Sequence, residues 1–389
     1  MEYMQPSQQD TLMKKAYIGL DVHKASIVIA VALEGRGDPE LYGKASSDLN
    51  SFLKVLRRVM DKYELTKDDF ALCYEAGPTG FVLGRRLREL GFECEVVAPS
   101  LIPVKASDRV KTDRRDAGKL ARLFRAGELT FVHVPDATDE IIRDVGRART
   151  DAVEVQTRTR QQLGALLLRN GYHYAGSTWT EPHMRYLREL VLPDPAQKVV
   201  LEEYLQRIDT AVQQVTRIEH QMENLLQNWS RRDFVEALQG FRGFQLVASM
   251  VVTGELGDLL RFDHPRQLMA YVGLVPREDT SGDHRRQGPI TKSGNSHVRW
   301  MLVEVAHHYR LTPKVSAPLA RRQEGLSREV RDLSWRAQER LHRRFSRLSL
   351  RGVHHNKVVV AIARELTAFI WELARVVARM RAQRPLAPA

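Results

Sequence analysis

Residues 16–33 read AYIGLDVHKASIVIAVAL, and how they fold decides what the first third of the chain becomes. Their Ile, Val and Ala content, in two apolar runs, marks a β-rich pair of strands. Asp21 stands inside the first run, where an unpaired carboxylate is costly to bury. Outward from this pair the signals alternate. DLNSFLKVLRRVMDKYEL (48–65) is an amphipathic helix, DFALCYEAG (69–77) a strand, TGFVLGRRLRELG (79–91) a helix and ECEVVAPS (93–100) a strand. The spacing predicts an α/β domain over residues 16–132.

The acids of this region form a pattern. Glu75 closes the strand that contains Cys73. In KTDRRDAGKLARLFR (111–125), Asp113 and Asp116 lie three apart on one helical face, which Leu120, Leu123 and Phe124 continue toward the core. One reading is structural: Asp113 caps the helix and Asp116 pairs with Arg114 or Arg115. The other joins Asp21, Glu75, Asp113 and Asp116 in one pocket at the strand tips. Clustered carboxylates repel, and an all-oxygen set suits Mg2+ or Mn2+, two of which about 4 Å apart would clamp a phosphodiester. Lys111, Arg114 and Arg115 would then hold a nucleic-acid backbone beside the metals.

The chain has 389 residues, 43% hydrophobic and 28% charged, enough for two or three domains with cores of their own. Its longest apolar stretch, VVVAIARELTAFIWELARVVARM, carries Arg364, Glu365, Glu372 and Arg375, so an amphipathic helix is expected and no membrane span. Residues 1–15 are expected to be a mobile polar tail with no signal sequence, and 381–389 a second tail. Cys73 and Cys94 are too few for a disulfide framework, which points to a reducing cytoplasm. A net charge of +12 and a pI near 9.8 point to a polyanionic partner. Residues 301–389 hold 18 Lys plus Arg against 7 Asp plus Glu, so most of the excess sits there.

Strand signals vanish from 137 to 230. Leu201, Leu205, Ile208, Val212, Val215, Met222, Leu226 and Trp229 follow steps of four and three, interrupted at Glu219. Such a seam predicts a coiled coil serving as helical linker or oligomerisation element, or one helix of an ordinary bundle. Residues 234–380 read as a third, mainly helical domain. In LQGFRGFQLVA, Gly240 and Gly243 fit either a phosphate-binding helix-hairpin-helix or a turn between packed helices. TSGDHRRQGPITKSGNS is a polar loop whose hydroxyls and cations Arg285, Arg286 and Lys292 suit nucleophilic attack on a phosphodiester. Ser293 and Ser296 read as caps of a helix from about Ser296, and Arg299 in VRW as a further nucleic-acid contact. The paired histidines 307/308 and 354/355 and the two cysteines lack zinc-site spacing, and no P-loop or dinucleotide fingerprint occurs.

GLDVHK, YEAGPTG and KTDRRDA, followed by FDHPRQLMAYVGLVPRED, ITKSGN, VRW and HHNKVVVAIARELTAFIWEL, resemble the IS110 family of transposases over nearly the whole chain. The resemblance implies a RuvC-like, ribonuclease-H-type first domain with a DEDD set, a helical coiled-coil middle and a mainly α C-terminal domain. It implies Ser281 as nucleophile, with Thr280, Ser293 and Ser296 as alternatives. It further implies a bridge RNA that guides recombination of donor and target DNA, and a homo-oligomer, dimer or tetramer, in which one subunit's acids face another's serine loop. An Arg-rich insertion over about 313–350 departs from the family pattern. Alternatives are a Holliday-junction nuclease using the acids alone, an actin-like nucleotide hydrolase suggested by the first hairpin, and a non-catalytic nucleic-acid-binding protein.

Overall fold

The computed structural model describes residues 14–104, 112–281 and 284–383, with side chains given outside 279–286. The chain divides into two compact units between Asp136 and Ala137.

In the first unit, β1 (Ala16–Val22) and β2 (Ser26–Leu33) form the hairpin read from the sequence, antiparallel from Ala16 opposite Leu33 to Val22 opposite Ile27. β3 (Glu40–Ser46) extends it antiparallel beyond β2. After α1 (Leu49–Tyr63), whose first turn is capped by Asp48, β4 (Phe70–Glu75) lies parallel on the other side of β1. α2 (Val82–Glu89) then leads to β5 (Glu93–Val97), parallel to β4, completing the order β3-β2-β1-β4-β5.

Strand alternation splits this sheet's side chains between two faces. Ile18, Leu20, Leu72, Tyr74 and Cys94 pack with Phe52, Leu56 and Val59 of α1 and Leu87 of α2. Each such buried side chain contributes about 1.5–3 kcal/mol. Ala71, Cys73 and Val97 face Leu120, Leu123 and Phe124 of α3 (Asp113–Arg125) on the opposite side. The two cysteines therefore sit on opposite faces and are free, and burial pushes the Cys94 thiol up to about 12.

Gly19 sets the distance between sheet and helix. A Cβ there would stand 2.3 Å from the Ala117 carbonyl oxygen and 2.5 Å from the Ala121 nitrogen. α3 therefore rests directly on the β1 backbone. It runs antiparallel to β1, with Phe124 edge-on to Tyr17 at 5.3 Å and its first turn beside Asp21.

The second unit opens with a long helical hairpin, α4 (Ala137–Arg169) and α6 (Pro195–Gln227), connected through α5 (Glu181–Glu189). Three contacts establish its antiparallel register: Trp229 Nε1 donates to Asp139, Arg149 to Glu219, and Gln197 to Asn170. Leu201, Ile208, Met222 and Leu226 of the predicted seam are buried, and the interruption at Glu219 is explained by its Arg149 partner. Much of the seam is thus covered within this chain, while Val212 stays exposed.

The remaining elements are α7 (Arg232–Gln239), α8 (Leu246–Leu256), α9 (Pro265–Tyr271), β6 (Pro276–Ser281), β7 (His284–Ile290), α10 (Ser296–Ala306), α11 (Ala317–Gln323), α12 (Arg328–Leu350) and α13 (His355–Ala382). Their core includes Val358, Ile362, Leu366, Ile370 and Leu373 of α13. Ile142, Met222, Leu226 and Trp229 from the base of the helical hairpin join the same cluster. Segments 137–230 and 234–380, read as separate domains, share this core. α13 is amphipathic as expected: Glu365 pairs with Arg340 and Arg344, Glu372 with Arg336, and the Arg375 guanidinium donates to the Phe262 carbonyl. Among the described residues no helix is long and apolar enough to cross a membrane.

Candidate active site

Asp21 is the penultimate residue of β1, on the face that looks toward α3, two residues beyond the helix-admitting Gly19. Leu20 pairs with Tyr74 in the parallel register, so Glu75 follows at the same C-terminal edge and on the same face. The first turn of α3 supplies Asp113 and Asp116. Its cap is Thr112, whose hydroxyl accepts from the Arg115 amide, not Asp113 as the structural reading of that stretch had it. Asp113 is thereby left to face the strand tip.

His23, which the sequence reading did not single out, stands between the acids. Its Nε2 lies 3.0 Å from Asp21 Oδ2 and 3.7 Å from Asp113 Oδ1. Asp21, His23 and Asp113 each offer a ligand atom within 4.8 Å of the others. Glu75, exposed, and Asp116, half-buried, lie at the same edge but outside that tight group. The period-2 spacing of Asp21 and His23 was the available signal for the histidine. Burial raises the Asp21 carboxyl above its usual range; His23 offsets part of this, and the negative charges of Asp113 and Asp116 add to the rise. Two or more carboxylate oxygens and an imidazole around one region of negative potential fit a hard divalent cation, with Asp21, Asp113 and His23 nearest. Of the flanking cations, Arg114 and Arg115 are exposed on the first turn of α3, and Lys111 lies outside the described residues.

The second candidate site sits in the other unit. Ser281 ends β6 and is paired in register with His284, with Thr280 opposite Arg285 and Asp279 opposite Arg286. The side chains of Ser281, Arg285 and Arg286 lie outside the described residues. Beyond β7 the ITKSGN loop is held against the end of α9 backbone to backbone. A Cβ on Gly294 (φ 72°) would fall 1.9 Å from the Tyr271 carbonyl oxygen, and one on Gly273 (φ 67°) 2.1 Å from that of Ser293. Arg299 Nη1 donates to the carbonyls of Val272 and Ser293, which ties it to this junction. Lys292 is exposed. The cap of α10 is Asn295, which accepts from Val298; Ser293 instead donates to Thr291 Oγ1, and Ser296 is the first helical residue. This corrects the expectation that the serines cap the helix.

Asn295 also donates to Glu255, almost wholly buried at the end of α8 and held by Arg143 and Arg147 of α4. Burial raises the Glu255 carboxyl, yet the hydrogen bonds from Arg147 and Asn295 and the charges of Arg143 and Arg147 outweigh it, leaving a lowered pKa. The glycines of GFRGF (240–244) lie in close packing contacts. The Gly240 carbonyl accepts from Gln323 and Ser334, and a Cβ on Gly243 (φ 85°) would lie 3.0 Å from the Val305 carbonyl oxygen. Arg242 between them donates to the carbonyls of Leu311, Thr312 and Lys314.

A family model for transposases, of the DEDD type found with IS110, matches residues 18–170. A second, described as "Transposase IS116/IS110/IS902 family", matches 235–319. A Sinorhizobium fredii protein named as transposase y4qE is 43% identical over 364 residues, covering 93% of this chain and 89% of the relative. The transposase for insertion sequence element IS1533 from Leptospira borgpetersenii is 28% identical over 347 residues, 87% of this chain and 97% of that one. The acidic edge of the five-stranded sheet is therefore that of a DEDD transposase, with a ribonuclease-H-like fold and dependence on a divalent metal. The chain belongs to the IS110 family of transposases, enzymes that act on DNA.

Proposed function

We propose that the chain cuts and rejoins DNA by joining a carboxylate site, Asp21, Glu75, Asp113 and Asp116, to a serine nucleophile, Ser281. The observation that carries the reading is the meeting of Asp21, His23 and Asp113 at the sheet edge, within the segment matched by the DEDD model. Mg2+ or Mn2+ bound there supplies Lewis-acid polarisation of phosphodiester oxygens. The protein's own part is to aim the acids, through Gly19 and the Thr112 cap, and to hold Asp21 in register through His23. Arg114 and Arg115 orient the DNA backbone beside them. The Ser281 hydroxyl attacks phosphorus: a serine–phosphate bond forms, the bond to the leaving sugar oxygen breaks, and the serine proton ends on that oxygen. Resealing reverses these steps and needs no nucleotide. Arg285 and Arg286, opposite Thr280 and Asp279 on the hairpin, supply charge to the attacked phosphate.

Recombination also requires a choice of site. A positively charged chain with no motif that reads base edges gains that choice from a paired bridge RNA, and the RNA, donor DNA and target DNA are its partners. Acids and serine lie in separate compact units. We propose an oligomer in which one subunit's acids serve another's serine, with the exposed Val212 of the hairpin seam available to a coiled-coil contact between subunits.

The test is a recombination assay with a parallel DNA-binding measurement. Asp21→Asn, Glu75→Gln, Asp113→Asn and Asp116→Asn each abolish recombination while leaving affinity for DNA within a few fold. Ribonuclease-treated protein loses recombination at a defined site. Full activity in any two of the acid variants, or in RNA-free protein, contradicts the reading.

A further inference from the structure

α12 carries two rows of arginine with different fates. Arg336, Arg340 and Arg344, at steps of four, are spent on Glu372 and Glu365 of α13. Arg343, Arg347 and Arg351, also at steps of four, have no ion-pair partner among the described residues. All three are exposed, and together they line an open groove with Pro313, His342 and Ser346. His342 is held there by its Nδ1 against the Tyr309 carbonyl oxygen. One acid, Glu339, shares the groove, which leaves it with a surplus of two positive charges when His342 is neutral.

A row of cations kept free of the acids that neutralise its neighbours is a surface waiting for a polyanion. Steps of four on a helix advance about 6 Å each, so the three guanidinium groups span about 12 Å. One strand of a duplex presents a phosphate about every 3.4 Å of axis, so this length meets three or four of them. The groove has no Trp, Tyr or Phe on which an unstacked base would lie, which disfavours single strands. The track is rigid: α12 is 23 residues long, and the adjacent arginine row pins it to α13.

We infer that this face of α12 is a docking track for the phosphate backbone of duplex DNA, bound without regard to sequence. Arg343 and Arg347 lie within the Arg-rich segment 313–350, and Arg351 directly follows it. The inference rests on the chain's being a transposase that acts on DNA, and not on which residues cut.

The experiment measures the affinity of the full chain for a random-sequence DNA duplex as a function of salt. Replacing Arg343, Arg347 and Arg351 with Gln lowers the slope of log affinity against log salt by about 2.7 and weakens binding at physiological salt on the order of 100-fold. Replacing the same three with Lys keeps the slope. The double variant Arg336→Gln and Arg340→Gln, on the acid-paired row, also keeps it. Should the triple Gln variant fail to fold by circular dichroism, Arg347→Gln and Arg351→Gln singly each lower the slope by about 0.9. An unchanged slope in the groove variants overturns the inference, as does an equal fall in the acid-paired control. Loss of duplex RNA binding with DNA binding intact assigns the track to RNA and also overturns it. None of these readings depends on strand cleavage, so failure here is distinct from failure of the carboxylate and serine assignments.

Discussion

A Cβ at position 19 would stand within 2.5 Å of backbone atoms at both Ala117 and Ala121, and neither can yield without moving α3. The two residues after Gly19 lead to Asp21, and one helical turn before Ala117 lies Asp113, so the same contact that seats the helix sets the gap between the acids. Gly19→Ala is expected to cost about 1–3 kcal/mol by overpacking and to remove recombination out of proportion to that loss. Urea unfolding followed beside the recombination assay checks this; a variant as stable and active as the parent would show that α3 is not fixed by this contact. Asp21 was legible in the sequence because a carboxylate in an apolar strand demands a reason. His23 was not, since a histidine at a hairpin turn is unremarkable until Asp113 is brought beside it by a helix some ninety residues later. The neighbours of Arg299 and Gly240 were not legible either. A guanidinium or a glycine that suits a phosphate suits a carbonyl or a tight packing contact equally well, and here the carbonyls of Val272 and Ser293 and the side chain of Leu326 are the neighbours.

At the scale of elements, the Glu255 cluster joins three of them. α4 supplies Arg143 and Arg147, α8 supplies the acid, and Asn295 caps α10 at the end of the loop that follows the serine hairpin. Because the folded Glu255 titrates below its ordinary value near 4.5, its contribution is fully present above that value and is lost as pH falls through the lower, folded value. Glu255→Gln is expected to cost about 2 kcal/mol at neutral pH, less than a fully enclosed pair because Arg147 still reaches water. The gap between parent and variant narrows on acidification through that window. Chemical denaturation at a series of pH values measures it, and a gap that stays constant or widens in acid would mean that Glu255 is not held ionised by these partners. Apart from β3, whose mixed residues ELYGKAS carry no clear alternation, the order of strands and helices in the first unit was legible from alternation and period alone. The partner of the α6 seam was not, because a heptad stripe is buried equally well by a helix of its own chain or of another. Only the Asp139, Arg149 and Asn170 contacts show how far α4 covers it.

The whole molecule places an acidic, metal-suited edge in one compact unit and the serine hairpin in the other. Positive charge is concentrated toward the C-terminal end, where part of it is neutralised by α13 and part, along α12, is left free. The proposed parts, acids that prepare the phosphodiester, a serine that breaks it and cations that hold the duplex, are each drawn from a different stretch of the sequence. The composition pointed to such a division, yet it could not show which arginines are spent on carboxylates, since that depends on contacts between α12 and α13. In the proposed mechanism acids and serine work on the same bond. This is tested most directly by counting the denaturation-resistant protein–DNA species formed on cleavage. The parent protein with Mg2+ is predicted to form it; chelation, Asp21→Asn and Ser281→Ala are each predicted to abolish it, whereas Ser293→Ala and Ser296→Ala preserve it. Undiminished strand cleavage by Ser281→Ala with no adduct in the parent would contradict the claim and assign the attack to water.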